Sequence, residues 1–112
     1  MNAERVKEYR ERARLLKVLA HEVRLAVVDR LASAPATVGE LAEELGLEQS
    51  ALSKHLALLR AAGVVEDERK GRAVEYRLLI PCVTEFLACA TQAIRERISL
   101  QGGLSPTGGK EI

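Results

Sequence analysis

The side chains best suited to covalent chemistry are two thiols. Cys82 and Cys89 are the only cysteines, and they stand seven residues apart. The segment around them has helical periodicity. Seven residues bring a helix back to nearly the same direction, so both thiols are expected on one face. Their Cα atoms would then be about 10 Å apart. A disulfide needs a separation under about 7 Å, which excludes a direct bond within one straight helix. Three routes remain for joining them: fraying of the first helical turn, a bridging atom or polysulfide chain, or pairing across a dimer axis. The chemistry on offer is reversible thiol redox, reaction with sulfur species, or capture of a thiophilic metal or metalloid such as As(III). No third thiol or histidine is near in sequence, so two thiols give As(III) or Zn(II) an incomplete shell. The competing reading is two small apolar residues filling an interface. Cys82 should occupy the first turn, where the helix dipole favours a thiolate and Glu85 opposes it. There is no Cys-x-x-Cys, no glycine-rich phosphate loop and no histidine near either cysteine in sequence, so the chain does not read as an enzyme.

A second group of residues is arranged to recognise rather than react. On a helix from about Glu48 to Ala62, Leu52, Leu56 and Leu59 define an inner face. Gln49, Ser50, Ser53 and Lys54 fall away from its centre and lie in the N-terminal half, where helices that enter the major groove touch base edges. Gln can pair with adenine, Ser is permissive, and Lys serves guanine or phosphate. Downstream, Arg69, Lys70 and Arg72 surround Gly71. Three cations at a hairpin tip suit phosphate or minor-groove contact. The alternative is a soluble charged tip, because Glu66, Asp67 and Glu68 lie just upstream. His55 falls on the inner side of the wheel and reads as a packed, hydrogen-bonded histidine. His21 reads as a cap or linker residue.

The elements that must position these groups follow from periodicity. Val6, Tyr9, Ala13, Leu16 and Ala20 make residues 4–20 an amphipathic helix. Its outer face carries Arg5, Lys7, Arg10, Arg12, Arg14 and Lys17, interleaved with Glu4, Glu8 and Glu11, and reads as a solvated face. Residues 22–33 are apolar nearly all round, as expected of a buried central helix, and Pro35 follows as its breaker. Thr37 with Glu40 has the form of a capping box that opens the next helix. Val38, Leu41, Ala42 and Leu45 form its inner face, and Gly46 suits its left-handed end. Val74, Tyr76 and Leu78 alternate with Glu75 and Arg77, which is strand periodicity, and residues 64–79 read as a β-hairpin. Ile80 to Leu100 return to helix, opened by Pro81. The apolar face of this helix centres near Val83, Phe86, Ala90 and Ile94, with the cysteines at its edge. Residues 101–112 are Gly/Ser/Pro-rich and are expected to be a disordered tail.

These readings combine into a mainly α fold with a small β-hairpin wing, a winged helix-turn-helix of order α-α-α-α-β-β-α. One domain over residues 1–100 is expected to bind double-stranded DNA and to dimerise. The 112 residues fit one domain, and many of this size are completed by dimerisation. Net charge is only +1, so nucleic-acid binding must rest on where charge sits, and a protein-interaction module stays open as an alternative. No apolar run approaches the roughly 20 residues that span a bilayer. The charged N-terminus lacks a signal-peptide apolar segment, and the expected location is cytoplasmic, with reduced thiols.

The segments LLKVLAHEVRLAVVDRL, VGELAEELGLEQSALSKHLALLRAAGVV and KGRAVEYRL resemble the ArsR/SmtB family of winged-helix repressors. The resemblance covers about residues 15–98. Ser50, Ser53, His55-Leu56, Leu59-Arg60 and Ala62-Gly63-Val64-Val65 sit where the family pattern has them. It implies a homodimer on operator DNA, released by an inducer, with the first and last helices as the dimer interface. Many metal-sensing members carry a cysteine pair in a segment like Ala36–Leu41, which holds none here. Zinc-sensing members often bind metal at positions matching Ile80, Cys82, Ala93 and Glu96, of which only Glu96 agrees in type. The resemblance therefore points away from an ordinary zinc site and leaves Cys82 and Cys89 as the candidate inducer site. A DNA-binding regulator without a cysteine switch is the remaining alternative.

Overall fold

Asn2 supplies the oxygen that begins the first helix, its side chain accepting from the Arg5 amide at 2.9 Å. In the computed structural model, which describes residues 1–100, helix α1 (Ala3–Leu19) is followed by α2 (Glu22–Ser33), strand β1 (Ala36–Thr37), α3 (Val38–Leu45), α4 (Gln49–Ala61), β2 (Val65–Lys70), β3 (Ala73–Leu78) and α5 (Cys82–Leu100). The tail at 101–112 lies outside the described residues. Backbone packing groups Met1–Ile80 as one compact unit and the chain from Pro81 as a second. No helix among the described residues is long and apolar enough to cross a membrane.

In the first unit α2 is the hub, touching α1, α3, α4 and β3. Val27, Val28 and Leu31 are its buried residues, and His21 is its N-cap, the ring Nδ1 accepting from the Val23 amide at 3.1 Å. The core is aliphatic throughout, with Leu41, Leu52, Leu56, Leu59, Val64 and Val65 sealed from solvent around it. Helix α1 turns a second apolar side toward its own chain and leaves most of the stripe marked by its spacing uncovered. Leu19 is buried and Leu15 and Val18 are half-buried, whereas Tyr9, Ala13 and Leu16 are exposed. The helix carries apolar residues on two sides, and periodicity alone does not say which one its own chain covers. Its charged face is solvated as expected, with Glu8 and Arg12 paired across one turn at 3.6 Å and both exposed.

The turn into α3 contains a strand that periodicity could not show. Ala36 and Thr37 pair antiparallel with Tyr76 and Glu75, giving a three-stranded sheet of order β1-β3-β2. Two residues are too few for an alternating pattern, yet Ala36 is completely buried by the pairing. Thr37 is thus both the end of β1 and the N-cap of α3. Its hydroxyl accepts from the Glu40 amide at 3.1 Å, and the Glu40 carboxylate accepts from the Thr37 amide at 2.8 Å. This capping box holds the Glu40 carboxyl below its usual pKa, the backbone hydrogen bond contributing most. A threonine cap of this kind stabilises by about 0.5–2 kcal/mol. Gly46 ends α3 at φ 68°, in the left-handed region where glycine carries no steric penalty. In the second unit, α5 begins at Cys82, so Pro81 stands just before the first helical residue, one position earlier than expected.

Candidate nucleic-acid interface

Helix α4 divides cleanly. Leu52, Leu56 and Leu59 are fully buried, while Gln49, Ser50, Ser53 and Lys54 are all exposed. The inner leucines fasten the helix to α2 and α3. They leave a polar N-terminal half facing solvent. Glu48 is the N-cap residue but makes no side-chain cap bond, so its carboxylate leaves the first-turn amides of α4 uncapped. The Gln49 amide leans over the start of α3: a Cβ added to Gly39 would meet Gln49 Nε2 at 3.6 Å. Gln49 therefore sits at the crease between the two helices, and Ser50, Ser53 and Lys54 extend from there along α4.

The wing is a two-residue hairpin. Lys70 ends β2, Ala73 begins β3, and Gly71 adopts φ 65° between them. Only a residue without a Cβ takes that angle cheaply in so short a loop. Arg69, Lys70 and Arg72 are exposed around it. The acids that argued for a merely solvated tip are largely engaged elsewhere. Glu66 pairs with Arg77 across the strands, and Asp67 pairs with Arg60 of α4 at 3.1 Å. Lys70 is shared with Glu75 at 3.6 Å. Among the described residues Arg69 and Arg72 have no ion-pair partner, and of the three upstream acids only Glu68 is left unpaired, so the tip keeps a small positive excess. The Arg60–Asp67 pair also ties the wing to α4. Exposed pairs of this kind add little stability, so its value is positional.

His55 is half-buried on the inner side of α4, as its place on the wheel indicated. Arg24, a residue that pattern reading passed over, reaches it from α2: Arg24 Nη1 donates to His55 Nδ1 at 3.4 Å, at the long end of hydrogen-bond range. The His21 ring stands against it, centroids 4.4 Å apart. Burial, followed by the charges of His21 and Arg24, pushes the His55 pKa below the usual histidine value. The one available signal for Arg24 was a cation set inside the apolar run of α2.

Both cysteines are free and exposed on α5. No cluster of three or more His, Cys, Asp or Glu side chains suited to a metal ion occurs among the described residues. The two thiols thus remain an incomplete set of ligands within one chain.

Residues 19–68 match the family model described as a helix-turn-helix domain. The chain is 38% identical over 92 residues to the HTH-type transcriptional regulator Rv0081 of Mycobacterium tuberculosis, spanning 81% of each protein. It belongs to the ArsR/SmtB family of winged helix-turn-helix transcriptional repressors. Two solved structures share the architecture of this ArsR-type chain. Reduced HlyU from Vibrio cholerae superimposes with a TM-score of 0.71 at 37% identity, over 77% of this chain and 94% of that one. The homodimeric winged helix-turn-helix DNA-binding domain of Mb0332 from Mycobacterium bovis gives a TM-score of 0.75 at 25% identity, over 94% and 97%. The family is one of regulators rather than enzymes, and the segment shared with the helix-turn-helix model contains both α3 and α4 with its exposed polar half.

Proposed function

We propose that this ArsR-family repressor acts as a homodimer on operator DNA, reading it with α4 and the wing, and that chemistry at Cys82 and Cys89 releases it. The observation that carries the DNA reading is the division of α4. Its leucines are wholly buried, and its N-terminal half offers Gln49, Ser50, Ser53 and Lys54 to solvent. Gln49 and Lys54 supply base-edge donors and acceptors, the serines adapt to either strand, and Arg69, Lys70 and Arg72 supply cations for the flanking phosphates.

Two elements carry large apolar side chains without cover in a single chain. On α1 these are Tyr9 and Leu16, and on α5 Phe86 and Ile94, all between 44% and 61% exposed. Apolar faces of this kind mark contact surfaces, and a second copy is the partner that the homodimeric Mb0332 domain suggests.

The exposure of both thiols favours a covalent switch, because a reagent reaches them directly. Two thiols without a third ligand favour sulfur or redox chemistry over a metal or As(III) held by one subunit. HlyU is a relative whose solved structure is that of a reduced form, which makes oxidation state a variable worth testing. In a gel shift with the chain's own promoter fragment, oxidant or polysulfide is expected to release the reduced wild-type protein and to leave Cys82→Ser bound. Equal release of both would refute the thiol switch. Failure of the reduced protein to bind would refute the operator reading itself.

A further inference from the structure

The two histidines of the first unit are joined in a way that the DNA reading does not use. His21 caps α2 through Nδ1, which accepts from the Val23 amide. His55, on α4, also uses Nδ1 as an acceptor, here for the Arg24 guanidinium, which can only donate. An accepting Nδ1 leaves His55 with its ring proton on Nε2. The rings face one another at 4.4 Å between centroids and 48° between planes. Arg24 has little to fall back on, since its Nε is buried without a hydrogen-bond partner.

We propose that the His21–His55 contact is an acid-sensitive latch between α2 and the reading helix, so that proton uptake by His55 weakens DNA binding. A proton on His55 Nδ1 removes the acceptor for Arg24 and sets a second cation beside the guanidinium. The surroundings offer no compensation. Arg24 and His21 are the charged or titratable groups that act on the His55 ring, and both oppose its protonation. Of the other elements packed on α4, β2 brings Asp67, which pairs with Arg60, and among the described residues α1, α3 and β2 place no charge against the His55 ring. The strain falls on the α2–α4 contact, which sets how α4 presents Gln49, Ser50, Ser53 and Lys54.

The direction of the effect separates it from ordinary electrostatics. Protonating a histidine near phosphate adds a cation and tightens binding, whereas this latch loosens it. The inference rests on α4 being the reading helix, and the test separates the two. Fluorescence anisotropy with the promoter duplex, at constant ionic strength, should show Kd rising at least five-fold from pH 7.5 to pH 5.5. His55→Gln keeps an acceptor for Arg24 but cannot titrate, so its Kd should change less than two-fold over that range. In wild-type protein, the His55 ring signals in NMR should titrate at lower pH with DNA bound than without, a readout that needs no variant. A wild-type affinity that stays flat or tightens on acidification, an equal loss in His55→Gln, or a His55 titration indifferent to DNA would each overturn the latch. Absence of binding at every pH would overturn the operator reading and the latch with it.

Discussion

Leu56→Ala is expected to lower the unfolding free energy by roughly 2–5 kcal/mol, the range for emptying a buried leucine site. Leu56 is completely buried at the centre of the face that α4 turns inward, between the equally buried Leu52 and Leu59. The cavity would open beneath the reading helix, where rigid neighbours on α2 and α3 limit collapse. Domains of this size are stable by only about 5–15 kcal/mol, so the loss is a large share of the total. Each kcal/mol lowers Tm by about 4–8 °C in domains of 60–100 residues. Leu58, two positions along the same helix and half-exposed, is the control: its alanine variant should lose about 1 kcal/mol or less. Urea unfolding at one fixed protein concentration measures both, and the midpoint should move while the slope stays constant. Equal losses at the two positions would mean that α4 is rotated from the orientation described.

The largest functional effect is expected from stripping the wing. Arg69, Lys70 and Arg72 together replaced by alanine remove three cations per chain, hence six from a dimer on DNA. Each phosphate contact contributes about −0.9 to the slope of log affinity against log salt. The slope should therefore become shallower by about 5, and affinity at moderate salt should fall on the order of 100-fold or more. The tip owes this weight to the pairing of its arms. Glu66 and Asp67 are matched by Arg77 and Arg60, which leaves Glu68 as the one unpaired acid before the tip and the cations in excess. Removing Lys70 also frees Glu75 from its partner and adds repulsion. A salt titration of the wild-type and triple variant by anisotropy reads both quantities. An unchanged slope would place the wing away from the phosphates.

Much of this arrangement could be read before any coordinates, and the reasons are local. The leucine spacing of α4, the Thr37–Glu40 capping box and the glycine at the wing tip each depend on residues within one or two turns of each other. What stayed hidden depends on residues distant in sequence or on segments too short for a period. Strand β1 has two residues. The contact between Arg24 and His55 joins positions 31 apart. The ion pairs Arg60–Asp67 and Arg30–Glu44 decide how the wing and α3 are braced, and no periodic pattern announces them. Helix α1 shows the remaining ambiguity. Its Tyr9–Leu16 stripe and its Leu15–Leu19 stripe both have helical spacing, and only packing decides that the second one faces its own chain.

The most direct test of the operator reading is an NMR titration of the amide-labelled, reduced protein with its promoter duplex. The reading predicts that the largest shifts fall together on Gln49, Ser50, Ser53 and Lys54 of α4 and on Arg69 to Arg72 of the wing. Binding that instead shifts the basic face of α1, with α4 and the wing unchanged, would contradict it.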